Sequence, residues 1–190
     1  MVWSCLVSIL PGMAQTEKLT DYVNPFVGTD GYGNVYPGAQ IPFGGIQISP
    51  DTDSRFYDAA SGYKYNHLTL MGFSLTHLSG TGIPDLGDFL FIPGTGEMKL
   101  EPGTHEDPDQ GYRSRYSHDK EWASPNYYAV ELADYGVKAE MTSGVRSGMF
   151  RFTYPESDNA FIMIDMNHTL WQSCEWSNLR MINDSTITGY

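Results

Sequence analysis

The chain has 190 residues, a net charge of -12, 18% charged residues, 14% aromatics and 20 glycines. The acidic balance argues against a nucleic-acid backbone or an anionic membrane surface as partner, and is compatible with a neutral substrate such as a sugar. An ordinary apolar fraction and many strand-like runs exclude a disordered chain and suit one compact, loop-rich β domain.

Residues 1–14, MVWSCLVSILPGMA, are apolar and close on Gly12-Met13-Ala14. Small residues at the third and first positions before Gln15 read as the remnant of a secretory signal peptide whose positive start is missing. Export, periplasmic or to the cell surface and beyond, is therefore expected. Cys5 lies within this segment, which leaves Cys174 alone in residues 15–190 and rules out an internal disulfide. No later run approaches the ~18 apolar residues of a membrane span.

Phe43 to Ser49 predicts a first strand closed by Pro50. His67 to Thr76 and Asp88 to Ile92 predict two more, separated by a glycine loop. Residues 102–126, rich in Asp, Pro, Gly and Tyr, form a polar excursion too long for a hairpin turn. Strands follow at Tyr127–Asp134, Val137–Thr142, Arg146–Tyr154, Ala160–Met166 and Arg180–Thr188. Period-2 alternation is clearest in Phe150-Arg151-Phe152-Thr153-Tyr154, while Ala160 to Ile164 reads as a central strand buried on both faces. No segment shows a helical period flanked by caps, and many short strands between polar turns predict an antiparallel β-sandwich over residues 15–190. The chain stops at Tyr190 directly after a strand-like run. It therefore reads as the N-terminal part of a longer protein, with completeness at its C-terminal end left open.

Four stretches invite a chemical reading. Gly80 to Asp88 is no phosphate loop, because a strand follows it and Lys-Ser or Lys-Thr is missing. His77, Asp85 and Asp88 could ligate a metal, but their spacing matches no closed ligand set. A tight turn needing positive φ is the simpler account, with a loop lining a ligand surface behind it. Asp21 to Gly31 and Asn34 to Ala39 set short polar groups among glycines and aromatics, which suits close approach to a polar ligand or a packed surface turn. Arg55-Phe56-Tyr57-Asp58 puts a Tyr beside a carboxylate, a pair suited to sugar hydroxyls unless Asp58 merely caps a turn. Glycoside hydrolysis needs two carboxylates about the scissile bond. Glu97, Glu101, Glu106, Asp107 and Asp109 read instead as solvated charge, so no catalytic pair stands out. Cys174 has no evident His partner, and no Gly-x-Ser-x-Gly elbow is present.

Long motifs in a fixed order carry a resemblance over nearly the whole of residues 22–190: YVNPFVGTDGYGNVYPGAQIPFGGIQISPDT, SGYKYNHLTLMGFSLTHLSGTGIPDLGDFLFIP, YSHDKEWASPNYYAVELADYGVKAEMTSGVRSGMFRFTYP and INDSTITGY. With these, the chain resembles the N-terminal region of glycoside hydrolase family 92, the calcium-dependent α-mannosidases. The resemblance implies a β-sandwich that packs against its own C-terminal (α/α)6 barrel. It implies an exo-acting, inverting enzyme on mannose-containing glycans. Acid, base and calcium ligands would come mainly from the barrel, so none of those residues is expected here. The family's Trp-Asp pair before Ser-Gly-Tyr stands here as Tyr57-Asp58, the expected substrate contact. The Tyr in place of Trp leaves the linkage preference open. Ala60 for a usual Cys, Ile83-Pro84 for smaller or Cys-Gly residues and Asn126 for a frequent Gly leave the substrate open without touching the fold. A non-catalytic carbohydrate-binding sandwich is the alternative from a different class. It predicts a polar exterior, where an enzyme portion predicts an apolar patch awaiting its barrel.

Overall fold

The computed structural model describes residues 17–55, 57–80 and 82–190, and at Asp58 the backbone alone. Twelve strands follow one another in the described residues: β1 (Ser49–Asp51), β2 (Thr69–Leu70), β3 (Gly72–Ser74), β4 (Leu90–Thr95), β5 (Ser114–Arg115), β6 (Glu121–Ser124), β7 (Tyr127–Leu132), β8 (Val137–Ser143), β9 (Gly148–Thr153), β10 (Ala160–Asp165), β11 (Leu179–Asn183) and β12 (Thr186–Gly189). The helical elements among them are single 3-10 turns of three or four residues. None is long and apolar enough to cross a membrane.

Two four-stranded antiparallel sheets, ordered β1-β3-β4-β10 and β6-β7-β8-β9, form the sandwich, and β2-β5 and β11-β12 are separate pairs. The second sheet is a meander whose turns are written locally. Gly136, at φ 64°, closes β7 onto β8. Asn126, at φ 58°, closes β6 onto β7 and is locked there by hydrogen bonds with the backbone N–H and C=O of Ser143. Asn tolerates the left-handed region better than other non-glycine side chains, so it can hold this turn without a glycine.

The inner face follows the period of two. Tyr128, Val130 and Leu132 of β7 and Val137, Ala139 and Met141 of β8 are buried together with Ile48, Leu70 and Phe73. Phe73 of β3 lies 6.4 Å from Phe150 and 6.3 Å from Phe152 of β9, and Phe91 of β4 lies 5.0 Å from Phe150. These rings join the two sheets, and each large buried side chain contributes about 1.5–3 kcal/mol. Glu121 of β6 is buried at the far side of this core, where the hydroxyls of Tyr63 (3.0 Å) and Tyr128 (2.5 Å) and Nδ1 of His118 (2.6 Å) donate to it. Three donors offset the cost of taking that carboxylate out of water.

Several segments depart from expectation. The first strand begins at Ser49, not Phe43, because Phe43 itself sits at φ 59°. Pro50 lies inside β1 rather than closing it, which is permitted because β1 is a sheet edge and needs donors on one side only. His67 to Thr76 divides at Met71, with β2 pairing to β5 and β3 to β1 and β4. The polar excursion contains β5 and β6. The single strand expected at Arg180–Thr188 is the hairpin β11–β12, turning at Asp184-Ser185. Ala160 to Ile164 is no central strand: β10 pairs with β4 alone among the described residues and leaves Ile162 half exposed. The β11–β12 hairpin is exposed along its whole length, including Leu179, Met181, Ile182 and Ile187. Apolar composition there marks surface, not core.

Phe73 is completely buried between the sheets, so Phe73→Ala should cost about 3–5 kcal/mol and move the denaturant midpoint down without changing the strand content seen by circular dichroism. A midpoint equal to the wild type's would mean that the two sheets are not joined through this ring.

Candidate functional site

β1 ends in Asp51, whose carboxylate is shut away from solvent. His77 Nε2 donates to Oδ1 at 2.8 Å, and His168 Nε2 donates to Oδ2 at 2.7 Å. His77 Nδ1 also donates, to the carbonyl of Gln47 at 2.7 Å. His77 is thereby held between the Gln47 carbonyl and the Asp51 carboxylate, with the Ser74 hydroxyl 3.0 Å from its Nε2. Burial by itself would push the Asp51 pKa up; the two imidazoles outweigh it and hold the carboxyl well below the usual carboxylate range. The same packing explains a motif. Gly62, at φ 83°, would place a Cβ 2.0 Å from Asp51 Oδ1, so Ser61-Gly62-Tyr63 requires its glycine.

A second buried carboxylate follows two residues on. Asp53 accepts the backbone N–H of Arg55 at 2.9 Å and Nε2 of His105 at 3.2 Å. The hydroxyl of Thr69 completes His105 at 2.9 Å. Burial raises the Asp53 pKa, but His105 and Arg55 reverse this and bring it to about 2. Arg113 donates to the carbonyl of Thr52 at 2.5 Å, and burial lowers its pKa to about 10 in spite of Asp53 nearby. These contacts fasten the polar excursion to the end of β1.

Around this pair the loops of one sandwich end converge. Gly80 N–H donates to the carbonyl of Asn34 at 2.6 Å. A Cβ at Gly82 would lie 3.1 Å from the Asn34 amide nitrogen and 3.2 Å from the Tyr57 hydroxyl. Three of the stretches singled out in the sequence therefore meet, with the Tyr57 ring exposed beside them. Tyr57 opens the 3-10 turn Tyr57–Ala59; the side chain of Asp58 lies outside the described residues. The possible metal set does not assemble. His77 is committed to Asp51, Asp85 accepts the N–H of Leu86 at 2.8 Å, and Asp88 accepts the Thr76 hydroxyl at 2.9 Å. Among the described residues no group of three His, Cys, Asp or Glu side chains could hold a metal ion.

The loop following β10 is the part that sequence reasoning missed. His168 reaches Asp51 across 117 residues, Leu170 N–H donates to the carbonyl of Leu86 at 2.7 Å, and Trp171 N–H donates to that of Ser54 at 2.9 Å. A polar stretch between two strands gives no local sign of such anchoring; a His beside a buried strand carboxylate is visible only once the fold joins them. Two clefts flank His168. One, of about 420 Å³, runs past Asp85, Asp88, Cys174 and Trp176, and the other, of about 470 Å³, past Arg55, Asp165 and Trp171. Four described non-glycine residues in these loops stand at positive φ: Asn34, Leu86, Phe89 and Trp171. Backbone strain of this kind gathers where surrounding structure over-determines a site.

Because Asp51 is held below its ordinary pKa, its contribution to stability is present above about pH 4 and fades as pH falls below that value toward its folded pKa. Asp51→Asn should cost about 3–5 kcal/mol at neutral pH and flatten the acid limb of the stability curve. Thermal unfolding of both proteins from pH 2 to 7 checks this; parallel acid limbs would remove Asp51 from the role described.

The model of the glycosyl hydrolase family 92 N-terminal domain matches residues 22–190. An uncharacterized secreted glycosidase of Arthroderma benhamiae is 30% identical over 139 residues, which cover 72% of this chain and 17% of that protein. The structure of the family 92 glycosyl hydrolase ccman5 superposes with a TM-score of 0.73 at 30% identity, over 88% of this chain and 23% of that one. The family 92 inverting mannosidase BT2199 of Bacteroides thetaiotaomicron gives a TM-score of 0.63 at 27% identity, over 79% of this chain and 20% of its own. The chain thus spans about a fifth of the length of the relatives it matches. Since the family model covers residues 22–190, the chain belongs to glycosyl hydrolase family 92, as its N-terminal domain.

Proposed function

We propose that this domain forms part of an exported, inverting α-mannosidase that removes terminal mannose from glycans, and that it supplies one wall of the sugar site. The likeness to the inverting mannosidase BT2199 carries this reading. Export is supported by the secreted relative and by the signal-like residues 1–14, which lie outside the described residues.

In the complete enzyme one carboxylic acid would protonate the leaving oxygen while a second carboxylate activates water on the opposite face of the ring, which inverts the anomeric centre. Neither group is assigned to this domain. The buried carboxylates among the described residues, Asp51, Asp53, Glu121 and Glu140, are spent on internal partners. Among the described residues no three His, Cys, Asp or Glu side chains group to hold a metal ion, and the calcium implied by the family resemblance would be held mainly by the barrel of the complete enzyme. What this domain offers is Tyr57, whose exposed ring presents a flat face to sugar C–H groups, and Asp58 next to it for hydroxyls. The exposed apolar hairpin β11–β12 supports a further domain packing here, and it runs against a self-sufficient binding module with a polar exterior.

In the complete enzyme, Tyr57→Ala and Asp58→Ala should each lower kcat/KM on α-mannosides by about tenfold or more, the equivalent of about 1.4 kcal/mol of lost binding. Asp109→Ala should leave the kinetics alone, since its carboxylate is engaged with Arg115 on the surface. Wild-type kinetics for both site variants would remove Tyr57 and Asp58 from the substrate wall. Residues 15–190 in isolation should hydrolyse no mannoside, and measurable turnover by them would overturn the division of labour proposed.

A further inference from the structure

The loop after β10 holds Trp171 out in solvent, five residues before a second exposed indole, Trp176. Trp171 stands at φ 73°, a region that bulky residues rarely enter, and its indole remains 58% exposed. It is fixed there from both sides. Leu170 is buried against Gly87, the Trp171 N–H is bonded to Ser54, and the hydroxyl of Thr169 donates to the carbonyl of Gln172 at 2.6 Å. His168 anchors the same loop to Asp51. A strained backbone that turns a large apolar ring outward, when burial would be favourable, indicates a use for the ring.

The ring borders the cleft of about 470 Å³, together with Arg55, Asp165, Asn167, Gln172 and the buried Tyr112. Asp165 is positioned in advance, with Oδ1 accepting Asn167 N–H at 2.9 Å and Oδ2 accepting the Tyr112 hydroxyl at 3.2 Å. A flat indole beside planar amide, carboxylate and guanidinium groups matches the two surfaces of a pyranose, its C–H face and its hydroxyl rim. The volume suits one or two sugar units. The carboxylate and the net charge of -12 disfavour an anion.

We propose that the Trp171 cleft is a second glycan subsite, taking a neutral sugar further along the chain from the unit that meets Tyr57. The placement favours this, because Ser54, which holds Trp171, stands three residues before Tyr57 in the chain. The proposal rests on the mannosidase reading for its kinetic test only.

That test uses the complete protein with two substrates, a mannotriose and an aryl α-mannoside. Trp171→Ala should raise KM for the trisaccharide by about tenfold relative to the change for the aryl mannoside, and Trp171→Phe, which keeps a flat ring, should recover most of it. Parallel changes in the two KM values, or none, would overturn the subsite. If Trp171→Ala does not fold, Asn167→Ala carries the same comparison with the same two outcomes. Should the wild-type protein hydrolyse neither substrate, the mannosidase reading fails by itself. Calorimetric titration with mannotriose then decides the subsite: binding weakened about tenfold by Trp171→Ala supports it, and equal or absent binding overturns it.

Discussion

One buried carboxylate organises the functional end of this domain. Asp51 joins the end of a sheet-edge strand to His77 at the start of the glycine loop and to His168 in the loop after β10. An isolated carboxylate in that position would be driven to its neutral form; two imidazoles make the ionised form the stable one. Neighbouring features follow from this. Gly62 is glycine because Asp51 occupies the space of a side chain. The glycine loop is fixed at its first residue and then by the Gly80–Asn34 hydrogen bond. The loop after β10 is fixed at His168 and turns Trp171 outward three residues later. Asp53 repeats the device and ties down the polar excursion through His105.

Rigid loops of this kind suit the sugar recognition proposed for this domain. Sugars bind through many weak contacts, each of which loses value if the protein must first order the groups that make it. Asn34, Leu86, Phe89 and Trp171 are held at left-handed φ within a frame of buried carboxylate–imidazole hydrogen bonds and backbone bonds. The strain is retained because the frame leaves no alternative. The sandwich core beneath is ordinary by contrast: period-2 strands with phenylalanines joining two sheets.

The sandwich was legible in the sequence because its second sheet is local. β6 to β9 are joined by short turns marked by Asn126 and Gly136, and their alternation appears directly in Phe150, Phe152 and Tyr154. The first sheet was less so. Its strands are short, β1 is separated from β3 by twenty residues, and the run from His67 to Thr76 hides a change of sheet at Met71. Ala160 to Ile164 misled because apolar composition does not tell a central strand from an edge with one partner. Tyr57 was accessible through its motif and is found exposed beside Asn34 and Gly82. The pairing of Asp51 with His168 was not accessible: it spans 117 residues and no local pattern announces it.

Time-resolved proton NMR of the anomeric signals during hydrolysis of an α-mannoside by the complete protein is the most direct test of the functional account. Inverting hydrolysis releases β-mannose first, with the α-anomer appearing only through slow mutarotation. Initial release of α-mannose would contradict an inverting mechanism. Hydrolysis of other glycosides with none of α-mannosides would contradict the assignment of substrate.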